Sequence, residues 1–207
     1  MIIDALPRGN KYAEYTRSDQ LERIPTPRSS ALSHFSDAIS EATTAQSIDA
    51  LRDACGDFLR SLSDFYDVKP PTVRVLLGAR PHKTLEGRLV GQLFGDYHRK
   101  RAVIRLWART AMKKQWTTAG ALVSTLCHEF AHHLDVTHLS LPTSFHTVGF
   151  YERAHRLYLA ATGCPYYRLV WCQNFFDPER PWVMDWPETN RRRAKALARM
   201  KAKHSRI

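Results

Sequence analysis

Between residues 47 and 66 the apolar side chains recur at helical spacing, with Ile48, Leu51, Cys55, Phe58, Leu59, Leu62 and Phe65 on one stripe. Ser47 stands where an N-cap belongs, Asp49 lies in the first turn, and Pro70-Pro71 stop the helix. An earlier helix is expected from about Ser33. Three short β-forming runs follow, at 72–77, 92–97 and 102–106; the last two flank the basic link His98-Arg99-Lys100-Arg101 and read as a hairpin. The period turns helical again over 118–136, where Val123, Cys127, Phe130 and Leu134 step by four, three and four. Pro142 breaks the chain, and a helix over 147–162 is closed by Gly163 with Pro165 beyond it. Residues 168–175 and 182–186 alternate enough for a second hairpin around Asp177-Pro178. The pattern predicts an α+β fold, a small antiparallel or mixed sheet packed on helices.

The two ends do not share this patterning. Residues 1–30 carry Pro7, Pro25 and Pro27 with little apolar periodicity, which predicts an extended or disordered arm ahead of a domain over 31–187. Residues 188–207 form a basic tail, helical at most, with almost no apolar face to dock. No apolar run of 18 residues exists, so no membrane span is expected, and the first residues lack the basic-then-apolar layout of a signal peptide. Cys55, Cys127, Cys164 and Cys172 form no C-x-x-C pair, and the first two fall on core stripes. That usage predicts a reducing, cytoplasmic setting.

Charge sharpens the picture at two places. The chain's net charge is +11, yet residues 98–114 hold seven Lys/Arg and no acid, and residues 188–207 hold eight Lys/Arg and one Glu. The remainder is slightly acidic. Basicity therefore sits in two patches, around Arg99, Lys100 and Arg101 and around Arg191, Arg192 and Arg193. Such patches favour DNA or other polyanions; the plain alternative is a solvated strand edge and a frayed tail.

The candidate chemistry lies on the helix over 118–136, as His128-Glu129-Phe130-Ala131-His132. At 3.6 residues per turn the two histidines lie about 40° apart on one face, opposite the core stripe. Two imidazoles so placed can bind one Zn²⁺, and Glu129 on the shoulder of that face can reach a water on the metal. A catalytic zinc needs a third protein ligand. His138 has the spacing of the longer H-E-x-x-H-x-x-G-x-x-H motif, but Asp135 occupies the glycine position. Glu152 on the next helix is another candidate, and His146 is the strongest, because a proline-interrupted loop returns it over the His128/His132 face. Asp135, about 20° from His128 around the helix, is a candidate hydrogen-bond partner for a ligating imidazole. His133 points about 100° away from His132 and reads as a solvated residue or one that supports a ligand, and Tyr151 and His155 are more simply core-packing or surface residues than groups that polarise a carbonyl.

The segment Ser144-Phe145-His146-Thr147-Val148-Gly149-Phe150, following H-E-x-x-H, resembles the SprT-like metallopeptidases, relatives of the Spartan protease. In that family a third histidine opens the next helix in an H-G-x-x-F-like segment; His146 and Phe150 match it, whereas Gly149 is displaced. The likeness spans roughly residues 70–165. It implies a zincin-like fold, one Zn²⁺ on His128, His132 and His146, and Glu129 as general base. The four-cysteine zinc ribbon of some bacterial members has no counterpart, since only Cys164 and Cys172 follow the core.

The expected activity is hydrolysis of a protein or peptide substrate: the zinc lowers the pKa of its water toward about 7 and Glu129 takes the proton. An extended substrate is expected to pair with a sheet edge, for which the basic strand near Arg105 is the candidate. The rival reading is a non-catalytic polyanion-binding module with a structural zinc. The basic patches and Trp107, Trp116, Trp171, Trp182 and Trp186 motivate it. A structural site, however, tends to close with four ligands and to use cysteine.

Overall fold

The computed structural model describes residues 1–175, 177, 179–180 and 182–204, with only the backbone described at Val90 and His204. Helices α1 (Lys11–Gln20), α2 (Ser29–Thr44) and α3 (Ile48–Tyr66) come first. Strands β1 (Thr72–Ala79), β2 (His82–Leu85), β3 (Arg88–Gln92), β4 (Gly95–His98) and β5 (Val103–Arg109) follow, with a 3-10 turn at Arg99–Arg101 between the last two. Then come α4 (Ala119–Thr137), α5 (Val148–Thr162), β6 (Trp171–Gln173), β7 (Trp182–Met184) and α6 (Trp186–His204). The fold is α+β, and among the described residues no helix is long and apolar enough to cross a membrane.

Local chemistry explains the helix boundaries. The Ser47 hydroxyl accepts from the Ala50 N–H (3.3 Å), the Thr118 hydroxyl from Ala121 (3.4 Å) and the Thr147 hydroxyl from Phe150 (3.1 Å), each satisfying a first-turn donor. Gly163 closes α5 in the left-handed region (φ 65°). Leu51, Cys55, Phe58, Leu59 and Leu62 of α3 are fully buried, and so is the Val123/Cys127/Phe130/Leu134 stripe of α4. Phe65 is a correction. It stays exposed, and Tyr66, four positions after Leu62 and seven after Leu59, takes the core place and donates to the Pro25 carbonyl.

The main sheet has the order β1-β5-β4, with β1 parallel and β4 antiparallel to β5. Ile104, Leu106 and Ala108 of β5 are wholly buried toward the helices, which suits a central strand. The basic strand carrying Arg105 is thus not an edge; the edge strands are β1 and β4, and β4 is the one lying over α4. The run expected at 92–97 is divided, since Gln92 ends β3 and Gly95 begins β4. The β2–β3 hairpin was not expected from periodicity, because β2 and the start of β3 (Arg88, Leu89) are exposed and leave no alternating apolar face. Its turn is set by Glu86 and Gly87, both at positive φ (49° and 74°). The second hairpin is β6–β7; part of its expected tip, Pro178, lies outside the described residues.

Residues 1–30 are not an extended arm. Ile3 is 2% exposed, Ile2 bridges Val183 beside β7, and α1 packs on α5. The helix lacks an apolar stripe because it docks through polar groups. Glu14 accepts from the Thr143 N–H and hydroxyl, Arg17 donates to the Leu139 and Ser140 carbonyls, and Asp19 accepts from the Val148 N–H. At the other end, α6 is anchored through Asp185, which caps Glu188 N–H, and through buried Thr189, whose hydroxyl accepts from Val170. Beyond that anchor it is mostly exposed.

Candidate metal centre

α4 delivers His128 and His132 to the floor of a cleft, and the loop between α4 and α5 brings His146 above them. The His146 Nε2 lies 3.1 Å from His128 Nε2 and 3.1 Å from His132 Nε2. Among the described residues these three form the group of His, Cys, Asp or Glu side chains able to hold a metal ion. His138 is not in it; it is exposed at the C-cap of α4, edge-on to Tyr66, and the helix runs straight through Asp135 with no turn there. Glu152 is not in it either, because its carboxylate accepts from the Leu169 N–H (3.0 Å) and the Tyr166 hydroxyl (3.3 Å).

The hydrogen bonds fix the tautomer of His132. The Ser144 hydroxyl has one proton and donates it to Asp135 Oδ2 (2.8 Å), so it accepts from His132 Nδ1–H (2.8 Å). The lone pair of His132 is therefore on Nε2, facing the other two histidines. Desolvation by burial depresses the His128 imidazole to about 3 and takes His132 well below its usual range, so both are neutral at pH 7. Imidazole nitrogens converging at 3.1 Å suit a cation between them. Tetrahedral zinc with bonds of about 2.0–2.1 Å requires nitrogens about 3.3–3.4 Å apart, so the donor set fits with a small adjustment.

Glu129 is 5% exposed and lines the same cleft. Among the described residues nothing donates a hydrogen bond to its carboxylate. Burial, with the Asp96 charge second, pushes that carboxyl up to about 8. A dication at the histidines would draw it back toward ionisation. Gly95 permits this arrangement: a Cβ there would lie 2.6 Å from Thr125 Cγ2 and 3.2 Å from Glu129 Cγ, so any side chain would lift β4 from α4.

The cleft has a volume of about 610 Å³, with Leu93, Phe94, Val136 and Trp186 among its apolar walls and Arg99 at its rim. Arg105, by contrast, is engaged by Asp96 (Nε to Oδ1, 2.8 Å). Lys100 and Arg101 are exposed in the same turn as Arg99. On α6, Arg191 and Arg192 pair with Glu188, and Arg193 is exposed. No family model, curated protein or solved structure matches this chain. The side chains alone carry the functional reading.

Several groups here escaped sequence reasoning. His133 is 1% exposed: its Nε2–H donates to the Lys69 carbonyl (2.9 Å), so Nδ1 accepts from the Tyr97 hydroxyl (2.9 Å) and ties β4 to α4. Asp135, expected to bond an imidazole directly, reaches His132 only through the Ser144 hydroxyl; what the sequence did not reveal is its partner Arg153 (2.9 Å), both nearly solvent-free, which donates onward to the Ser18 and Leu21 carbonyls of the α1 end. An arginine on the core stripe of α5, beside Phe150, Ala154 and Leu157, was the available signal. Asp4, which binds His146, had none. Tyr151 and His155 spend their polar atoms on the Ile2 and Tyr167 carbonyls.

Proposed function

We propose that this chain is a zinc-dependent metallopeptidase with a SprT-like, zincin-type catalytic centre. The observation that carries the reading is the convergence of three imidazole Nε2 atoms, with Glu129 in the same cleft and no fourth ligand among the described residues. Three ligands leave a coordination position open, as a catalytic zinc needs and a structural zinc does not. This weighs against the polyanion module with a structural zinc, as does a glutamate held beside the histidines without a partner.

Bound there, zinc supplies Lewis acidity toward a carbonyl and acidifies a water. Glu129 takes the proton from the attacking water and returns it to the leaving amine. The unpaired main-chain edge of β4 (Gly95–His98) accepts an extended peptide as an added strand, which makes recognition tolerant of sequence. The partly exposed apolar walls at Leu93, Phe94 and Trp186 offer contact surface to the side chains of a bound peptide. Free thiols at all four cysteines, two of them in the core, fit action in a reducing cytoplasm.

Metal removal tests this reading. Protein as purified should carry about one equivalent of zinc and cleave an unfolded protein substrate. Dialysis against a chelator should abolish cleavage, and zinc should restore it. A protein that binds zinc and hydrolyses nothing in a panel of unfolded proteins would return the reading to the non-catalytic module.

The exposed basic face of α6 gives association with nucleic acid a specific footing, and acting on nucleic-acid-bound proteins would follow from it. Fluorescence anisotropy should show binding to single- and double-stranded oligonucleotides that is independent of sequence and weakens steeply with salt, because phosphate contacts release counterions. Deleting residues 191–207 should flatten the salt slope and leave zinc content unchanged. Absence of binding at low salt would leave the helix as solvated surface.

A further inference from the structure

We propose that Asp4 is the positioning carboxylate of the third metal ligand, His146, and that residues 1–21 are the frame holding the ligand loop in its metal-binding shape. The inference rests on the three-histidine metal site proposed above, though not on peptide hydrolysis.

Asp4 grips His146 from both sides of its backbone. The His146 N–H donates to Asp4 Oδ2 (2.8 Å), and the Asp4 N–H donates to the His146 carbonyl (2.9 Å). The same Oδ2 lies 3.5 Å from His146 Nδ1. Since His146 Nε2 faces His128 and His132, its proton belongs on Nδ1, toward this carboxylate. A carboxylate behind an imidazole fixes ring orientation and makes the opposite nitrogen a better donor.

The rest of the segment holds the loop that carries His146. Residues 139–147 have no regular secondary structure; some of their main-chain groups bond within the loop or to the end of α4, and α1 supplies partners for others. Arg17 takes the Leu139 and Ser140 carbonyls, Glu14 the Thr143 N–H, and Asp19 the Val148 N–H at the start of α5. The Ser18 hydroxyl meets Thr147 (3.1 Å). Close approach is built in: a Cβ on Gly149 would overlap the Ser18 carbonyl oxygen, so only glycine admits α1 here. A second line from the same helix reaches His132 through Arg153, Asp135 and Ser144. Two of the three ligands are thus oriented from one polar segment. Asp4 is itself steadied by the Tyr15 hydroxyl on its carbonyl (3.1 Å) and by Ile3 N–H on the Trp182 carbonyl (3.1 Å).

The test is zinc affinity, read by competition with a chromogenic chelator on the full chain. Asp4→Ala should bind zinc about 10–100-fold more weakly than the parent, the range for loss of a carboxylate behind a ligating histidine. Asp4→Asn retains an acceptor for the His146 N–H and should recover part of the loss. In cobalt-substituted protein, the visible d–d bands should change in Asp4→Ala. The thermal midpoint measured in chelator separates roles. Positioning predicts a large loss of affinity with a small shift in that midpoint; a purely structural role predicts the reverse. Leu62→Ala, a core truncation on α3, should lower the midpoint and leave the folded protein's zinc affinity unchanged. Asp4→Ala that binds zinc as tightly as the parent overturns the proposal while the metal site stands. A parent protein that binds no zinc overturns both.

Discussion

Glu129→Gln should retain about one equivalent of zinc and lose peptide hydrolysis by about 10²–10⁴-fold, the usual contribution of a positioned general base. The amide has nearly the shape of the carboxylate and cannot take a proton. The side chain lies beside the three imidazoles without belonging to their nitrogen cluster, so metal retention should not depend on it. His128→Ala, His132→Ala and His146→Ala should behave oppositely, losing the metal itself. His138→Ala should resemble the parent, because His138 packs on Tyr66 at the helix end. Zinc content by elemental analysis, beside single-turnover cleavage of a fluorogenic peptide, separates the classes. A Glu129→Gln protein cleaving at the parental rate would remove the assigned mechanism.

The second large effect is on stability. Arg153→Met should destabilise the protein by about 3–5 kcal/mol, because it strands a buried carboxylate. Asp135 is 0% exposed, and burial pushes its carboxyl up to about 6 even with Arg153 beside it. A carboxyl whose folded pKa lies above its usual 3.8 is favoured by folding in its protonated form, so stability from this group falls as pH rises from about 4 through 6. Without the guanidinium the folded pKa rises further. The deficit of Arg153→Met against the parent should therefore be largest at pH 7 and shrink toward pH 5, as denaturant unfolding at the two pH values would show. Replacing both partners with apolar residues, as in Arg153→Met/Asp135→Leu, should cost less than the sum of the single changes. A deficit that is the same at both pH values would mean that the arginine matters for packing alone.

What could be read from sequence follows from how each part is stabilised. α3 and α4 bury an apolar stripe against the core, and that burial leaves a period in the chain; the N-cap at Ser47 was legible from its residue type ahead of that run, whereas the Thr118 cap emerges from the structure. His128 and His132 share one helix, so their geometry is set by the helix itself. His146 needed a loop to return, and the interruption at Pro142 made that return expected without showing what holds it. α1 leaves no period, because Glu14, Arg17 and Asp19 dock it by hydrogen bonds to a loop far along the chain. β2–β3 is likewise hidden, since β2 and the start of β3 are exposed and only the Glu86-Gly87 turn distinguishes them. Which strand forms the sheet edge is a matter of pairing order, and side-chain character at Arg105 carries no record of it.

The frame around His146 also sets the order in which the protein can be finished. Asp4 meets a residue 142 positions away, and Glu14 and Asp19 each meet residues 129 positions away. Closing so long a span costs entropy that local helices such as α3 never face, and contacts of this separation form late in folding. Helix α1 cannot seat until Gly149 has left the ribosome, so before that point the chain holds at most the His128/His132 pair in place. Synthesis itself thereby delays assembly of the three-histidine cluster, since His146 joins His128 and His132 only after the chain has been made past Gly149.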